Sequence, residues 1–283
     1  MSDAGDLDLK PGLYVTATPI GNLGDITYRA VAALRGADLI LCEDTRRTAK
    51  LCNAYGIKTR REAYHEHNAE RMRPEILQRL QDGARICLVS DAGTPLISDP
   101  GFKLVSQARG ANITVTPIPG PSALTAALSA SGAPPDHFYF GGFAPSKAKA
   151  RRDTFAALSD LRATLAFFET PSRLRDCLCD LIDALGDREA CIARELTKIH
   201  EAFSVGKLSE LLRNLNEKEL RGEIVLLVYP PEIREVSDEM IVALVSELLK
   251  TMSVRNAAAQ TASQLGVARK RAYAIALALA DEK

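Results

Sequence analysis

Short, almost wholly apolar runs alternate with segments of helical period along most of this chain. LYVTATP (13–19), ADLILCE (37–43), ARICLVS (84–90) and NITVTPI (112–118) have the length and residue types of strands. Between them TYRAVAALRGA (27–37), TRRTAKLCNAYG (45–56), ERMRPEILQRLQDG (70–83) and PGFKLVSQARG (100–110) read as helices. A strand apolar on both faces must be covered on both, so this alternation predicts an α/β fold with a mostly parallel sheet between helices. A second series follows: FYFGGFAP, a helix, TLAFFET, a helix, EACIARELT, a helix and EIVLLVYPP. The Pro- and Gly-rich stretch 117–135 separates the two series, predicting an N-terminal α/β domain over 12–120 and a C-terminal one over 121–232.

The two ends read differently. Residues 1–11 are polar and acidic, which predicts a short disordered arm and not a signal peptide. Residues 233–283 are alanine-rich and helical. There AAAQTASQLGVARKRAYAIALAL (257–279) has a turn at Gly266 and a helix opened by Arg269, Lys270 and Arg271, the spacing of a helix-turn-helix. A small helical bundle packed on the second domain fits the same pattern.

Charge and cysteine usage remove several classes of function. The 36 basic and 36 acidic residues balance, so no global field draws in nucleic acid, and a polyanion would have to be held by local patches. No apolar run approaches the roughly 20 residues of a membrane span. The six cysteines form no C-x-x-C pair, which argues against a zinc ribbon or a disulfide framework and for reduced thiols in a cytoplasmic protein.

Four unusual turns fall at the ends of the first strands: TPIGNLGDIT (18–27), CEDTRRT (42–48), DAGTP (91–95) and PIPGPSA (117–123). Ligands of open α/β sheets collect at the carboxyl ends of the strands, so these turns predict a site. None is a phosphate loop, since Gly21 and Gly24 lack the G-x-G-x-x-G spacing and no G-K-[ST] follows a strand. DAGTP offers bare backbone beside one acid, which suits a small polar ligand with amino, carboxylate and ribose groups. YHEHN (64–68) reads as a loop rich in hydrogen-bonding groups, fit for substrate binding or acid–base work; without a third ligand at a characteristic spacing it does not predict a metal site. FFETPSRL (167–174) and ARELTKIHE (193–201) mix charges that form either exposed ion-pair ladders or a grip on an anionic substrate. SKAKARR (146–152) carries four basic residues, read either as a solvated helix start or as a phosphate contact.

Taken in order, LYVTATPIGNLGDITYRAVAALRGADLILCEDTRRT, YHEHN, LVSDAGTPLISDPG, PIPGPSALTAALSASG, FYFGGFAPSK, FFETPSRL and ARELTKIHE resemble the ribosomal RNA small subunit methyltransferase I family. That family is a branch of the tetrapyrrole methylase superfamily, whose members are class III, S-adenosylmethionine-dependent methyltransferases. The resemblance runs from about Leu13 to Pro230 and implies a two-domain fold with a mostly parallel N-terminal sheet, a mixed C-terminal sheet and a small helical tail. It further implies a homodimer with S-adenosylmethionine, and no metal, in the cleft between the domains. Pro19, Ile20, Asp91, Ala92, Gly93, Thr94, Ser122, Ala123 and Phe168 would contact that cofactor.

The reaction so implied is 2′-O-methylation of a decoding-centre cytidine of 16S rRNA. The balanced charge favours the assembled 30S subunit over naked RNA as substrate. A ribose hydroxyl is a poor nucleophile, so a base or a cation near it is expected, with Glu43, Asp44, His65, His67 and Lys198 as candidates and Asp44, His65 and Lys198 as the catalytic set. Arg46, Arg47, Asn68, Glu169, Arg173 and Arg194 are the expected substrate contacts. Ser172 stands where relatives often carry histidine, so no role is placed there. Two other readings share the fold: a methylase acting on a tetrapyrrole macrocycle, whose first turn tends to be G-x-G-x-G-D where this chain has TPIGNLGD, and an RNA-binding assembly factor without catalysis.

Overall fold

A computed structural model describes residues 8–216, 221–232 and 237–281 of the chain, so most of the expected N-terminal arm (residues 1–7) lies outside the described residues. The first series gives β1 (Gly12–Thr16), α1 (Tyr28–Gly36), β2 (Leu39–Cys42), α2 (Thr45–Ala54), β3 (Arg61–Ala63), α3 (Glu66–Gln81), β4 (Arg85–Leu88), α4 (Phe102–Gly110) and β5 (Val115–Ile118). All five strands run parallel in the order β3-β2-β4-β1-β5. Successive side chains of a strand point to opposite faces. Leu39 and Leu41 of β2 accordingly pack with Leu13, Ile86 and Leu88 against Ile76, Leu80 and Leu104 of α3 and α4. Ile40 and Cys42 instead join Tyr14 and Cys87 under Ala33, Leu34, Leu51 and Cys52 of α1 and α2. Both faces are dry, which is why these strands carry no polar alternation.

The structure departs from the sequence reading at the edge of this sheet. The strand β3 is unforeseen because its three residues, Arg-Glu-Ala, are short of apolar side chains and only half-buried, and it is held by backbone pairing to β2 through Ile40 and Arg61. Helix α3 begins at Glu66, so YHEHN is not a loop but the last residues before a helix and its first turn. Pro74 lies inside that helix.

The second series gives α5 (Ala123–Ala130), β6 (Phe138–Phe143), α6 (Ala148–Ala156), β7 (Thr164–Glu169), α7 (Pro171–Leu185), β8 (Glu189–Arg194), β9 (Ala202–Lys207), α8 (Leu208–Arg213) and β10 (Ile224–Val228). Its sheet is mixed, in the order β6-β7-β10-β8-β9: β6 is parallel to β7, and the other pairs are antiparallel. The segment expected as one helix between β8 and β10 is an edge strand followed by a short helix. AFSVGK (202–207) gave little strand signal because none of its residues is buried.

One member of the basic cluster SKAKARR, Arg151, is neither solvated nor free for phosphate, and the exposed Arg152 is drawn to the same partner. Arg151 is 4% exposed and donates to Asp180 of α7 at 2.7 Å, and Arg152 reaches the other oxygen of that carboxylate at 3.3 Å. Five cysteines are buried and Cys179 is exposed, all of them free thiols; burial pushes the Cys87 and Cys177 thiols up to about 12, so they stay protonated and unreactive.

Residues from Glu232 onward form a compact unit of their own. Helices α9 (Asp238–Leu248), α10 (Val254–Leu265) and α11 (Arg269–Asp281) close on Ile241, Val245, Ala258, Ala272 and Ala276. Gly266 ends α10 in the left-handed conformation (φ 65°), the turn that glycine makes without steric cost. Arg271 pairs with Asp238 at 2.7 Å, tying α11 to the start of α9. Among the described residues no helix is long and apolar enough to cross a membrane.

Candidate active site

In a parallel sheet every strand delivers its following loop to the same edge. Here those loops are stitched to one another, and DAGTP is at the centre of the stitching. Thr18 and Gly93 exchange two backbone hydrogen bonds, of 2.9 and 3.0 Å, joining the first turn to the third. The Asp44 amide donates to Asp91 Oδ1 at 3.0 Å, joining the second to the third. Thr94 Oγ1 donates to the carbonyl of Pro121 at 3.1 Å, joining the third to the fourth. Gly93 makes this possible. Its φ is +82°, and a Cβ on it would stand 3.2 Å from Cγ2 of Ile20.

The loops wall a cleft of about 420 Å³. One side is built from Ile20, Glu43, Arg47, the stretches Asp91–Thr94 and Ile97–Asp99, and Ser122 and Ala123 at the start of α5. The other side comes from the second sheet: Phe143, Phe168, Glu169 and Thr170, with Gly222 to Val225 entering β10. The rings of Phe143 and Phe168 meet edge to face at 5.6 Å between centroids. Three carboxylates, Glu43, Asp91 and Asp99, share the first side with Arg47, which reaches Asp91 at 3.6 Å. Burial, and then the Glu43 charge, push the Asp99 carboxyl up to about 6.

The expected site residues divide sharply. Of the cofactor set, Ile20, Asp91, Ala92, Gly93, Thr94, Ser122, Ala123 and Phe168 all line the cleft, whereas Pro19 lies beside Ile20 without lining it. Of the substrate set only Arg47 and Glu169 line it. Arg46 is an exposed side chain bound back to Asp44 at 3.0 Å. Asn68 caps α3, accepting from the His65 amide at 2.9 Å and donating to the Ala63 carbonyl at 2.9 Å. Arg173 donates to the Ala144 carbonyl and stands 3.3 Å from Glu169, so its charge serves that buried carboxylate. Arg194 lines a separate groove with Ser204, Val205 and Asn214.

None of the three expected catalytic residues lines the cleft. Asp44 is the N-cap of α2: it accepts from the Arg46 amide at 2.8 Å, and the Arg46 guanidinium beside it holds its carboxyl below the usual range, making it a poor base. His65 stands before the first turn of α3, its Nδ1 buried without a hydrogen-bond partner. The stem of Lys198 lies on Gly21, where a Cβ would come within 2.4 Å of its Cγ. Its ammonium sits between Glu195 at 2.8 Å and Glu223 at 3.2 Å. Burial alone would lower its pKa, but these carboxylates outweigh that and raise it, so Lys198 stays charged and cannot serve as a base. Conversely, Asp99, Phe143 and Glu223 line the cleft although no sequence signal points to them, and Glu43, a candidate base or contact from the sequence, lines it too.

This donor set fits S-adenosylmethionine. The Asp91 and Glu43 carboxylates on one wall suit a ligand bearing ammonium and sulfonium charges, and Phe143 and Phe168 across from them suit a purine. The left-handed Gly93 leaves bare backbone between the two. Among the described residues no cluster of histidine, cysteine, aspartate and glutamate is arranged to hold a metal.

A parallel sheet whose stitched edge faces a second, mixed sheet across a cleft is the plan of a tetrapyrrole methylase. The family of Tetrapyrrole (Corrin/Porphyrin) Methylases matches residues 12–212, and the RsmI C-terminal HTH domain matches residues 235–280. Diphthine synthase shares the fold with a TM-score of 0.61 at 15% identity, over 77% of this chain and 89% of that one. A cobalt precorrin-4 methyltransferase shares it with a TM-score of 0.59 at 17% identity, over 77% and 94%. Much nearer in sequence is the ribosomal RNA small subunit methyltransferase I of Mesorhizobium japonicum, 46% identical over 96% of this chain and 94% of its own. The proteins of that name from Vibrio cholerae (45% identical, over 86% and 84%) and Escherichia coli O157:H7 (43%, over 94% and 94%) are similar too. The chain therefore belongs to the ribosomal RNA small subunit methyltransferase I family, within the tetrapyrrole methylases.

Proposed function

We propose that this chain methylates the ribose 2′-hydroxyl of a decoding-centre cytidine in 16S rRNA, using S-adenosylmethionine and working as a homodimer on the assembled 30S subunit in the cytoplasm. One observation carries this reading above the macrocycle alternative. The relatives that share 43–46% identity over nearly the whole chain, helical unit included, bear the ribosomal RNA name, whereas the macrocycle methylase of similar fold shares only 17%.

Bound in the cleft, S-adenosylmethionine supplies a methyl on a positively charged sulfur; the ribose oxygen takes the methyl, the carbon–sulfur electron pair stays on sulfur, and the hydroxyl proton must leave. The chain's own work is to align and to deprotonate. Asp91 to Thr94, with Ile20, Ser122 and Ala123, would hold the methionine and ribose parts, and Phe168 and Phe143 the purine. Arg47, largely exposed at the cleft wall, would meet an RNA phosphate, while the half-buried Arg173 and the buried Glu169 brace the opposite wall as a pair. Lys198 would hold Glu223 in place at the rim and not accept a proton.

With zero net charge the chain has no field to hold naked RNA. Methyl transfer is therefore expected to be at least about tenfold faster on 30S subunits than on naked 16S rRNA, and equal rates would remove the 30S subunit from the proposal. In the same assay a chain ending at residue 234 is expected to keep its cofactor affinity and to lose affinity for the subunit; unchanged subunit binding would leave the helical unit with no part in docking.

A further inference from the structure

The loop between β4 and α4 is costlier than its task of connection requires. Leu96 (φ 74°) and Ser98 (φ 66°) both adopt the left-handed conformation, and Gly101 (φ 129°) packs so closely that a Cβ there would lie 2.8 Å from Cδ2 of Leu88. Non-glycine residues held left-handed cost about 1–3 kcal/mol each and collect where geometry serves chemistry. The outcome of this strain is that Ile97, Ser98 and Asp99 all turn onto the cleft wall instead of entering α4.

Asp99 also differs from Asp91 and Asp44 in what it binds. Asp91 is occupied by the Asp44 amide and by Arg47, and Asp44 by Arg46. Asp99 meets the neutral Ser90 hydroxyl and the like charges of Glu43 and Asp91, and among the described residues no cation pairs with it. Across the cleft stand two further acids, Glu169, which is paired with Arg173, and Glu223, which is paired with Lys198. A carboxylate half-buried among like charges, with no counter-ion, is a willing proton acceptor.

We propose that Asp99 is the group that takes the proton from the substrate hydroxyl as the oxygen is methylated. This rests on the ribose-methylation reading above. The hydroxyl O–H bond breaks as the oxygen–methyl bond forms, the proton passes to an Asp99 oxygen, and it leaves to solvent when the product departs. A base that must start unprotonated, with its carboxyl raised to about 6, makes the rate climb with pH through that value and level off above it.

The test combines three readouts on the full-length protein. In the protein without ligands, the carboxyl-carbon NMR signal that Asp99→Asn removes is expected to titrate near 6; an ordinary value close to 4 would overturn the proposal. D99N is expected to lower kcat on 30S subunits about 100- to 10,000-fold and to abolish the acid limb of kcat/KM. Calorimetric affinity for S-adenosylmethionine should stay within about threefold, and a loss of cofactor affinity that accounts for the lost rate would make Asp99 a cofactor contact and overturn the proposal. An acid limb that survives in D99N and disappears in Glu43→Gln would overturn it as well. Folding is not the obstacle: a carboxyl raised on folding stabilises fully below its unfolded pKa of about 4, and that contribution is lost as pH rises through about 6, so D99N should melt no lower than the unmodified chain at pH 8. Failure of the ribose-methylation reading would show separately, as absence of 2′-O-methylcytidine from the unmodified enzyme's product.

Discussion

Gly93→Val is expected to weaken S-adenosylmethionine binding by at least about 100-fold, or roughly 3 kcal/mol, while the protein remains folded. The backbone at Gly93 is left-handed, where a β-branched residue is strained, and the new Cβ would press on Ile20 at 3.2 Å. Relief comes either by breaking the paired hydrogen bonds between Thr18 and Gly93 or by driving Ile20, itself a lining residue, into the cleft. Both change the same wall. The damage stays local because Gly93 belongs to a loop and to neither of the cores that flank the sheet. Calorimetric titration gives the affinity and a melt gives the stability; an unchanged dissociation constant would take DAGTP out of the cofactor site.

Asp180→Ala should produce the largest loss of stability of any single change considered, about 3–5 kcal/mol. Asp180 is 6% exposed and holds Arg151, 4% exposed, through contacts of 2.6 and 2.7 Å. Removing the acid leaves a guanidinium charge buried between α6 and α7 with, among the described residues, the Pro145 carbonyl at 3.4 Å as its remaining hydrogen-bond partner. Replacing both members, Arg151→Met with Asp180→Leu, should recover most of the loss, because two apolar side chains do not need each other's charge. Denaturant unfolding of the single and double variants measures both. If the single variant lost less than about 1 kcal/mol, the pair would be acting as a solvent-screened surface bridge.

The sequence exposed the central strands because a strand dry on both faces has to be written in apolar residues, as β2 and β10 are throughout and β4 is after Arg85. Edge strands obey no such rule. Arg61–Ala63 and Ala202–Lys207 are strands because a neighbour offers a free ladder, and their side chains scarcely register it. The cleft was legible to the extent that it is made of local turns, since bare backbone at Asp91–Thr94 needs glycine and alanine next to one another in the chain. The acid–base side of the site was hidden by the same turn chemistry. Asp44 at a strand tip looks like a base, but the helix that follows claims it as a cap, and Asn68 is claimed in the same way. Asp99 in Asp-Pro-Gly looks like an ordinary turn-former, and its distinction arises from the left-handed residues before it and from Glu43, 56 positions away in sequence. Lys198 was noticed for its charge, yet the partner that commits it, Glu223, comes from a different strand entrance.

The most direct measurement is methyl transfer from labelled S-adenosylmethionine to 30S subunits isolated from cells lacking this gene, followed by digestion of the 16S rRNA to nucleosides. Label recovered in 2′-O-methylcytidine is the result this account predicts. Label in a base-methylated nucleoside, or none in the RNA while the cofactor still binds, would contradict it.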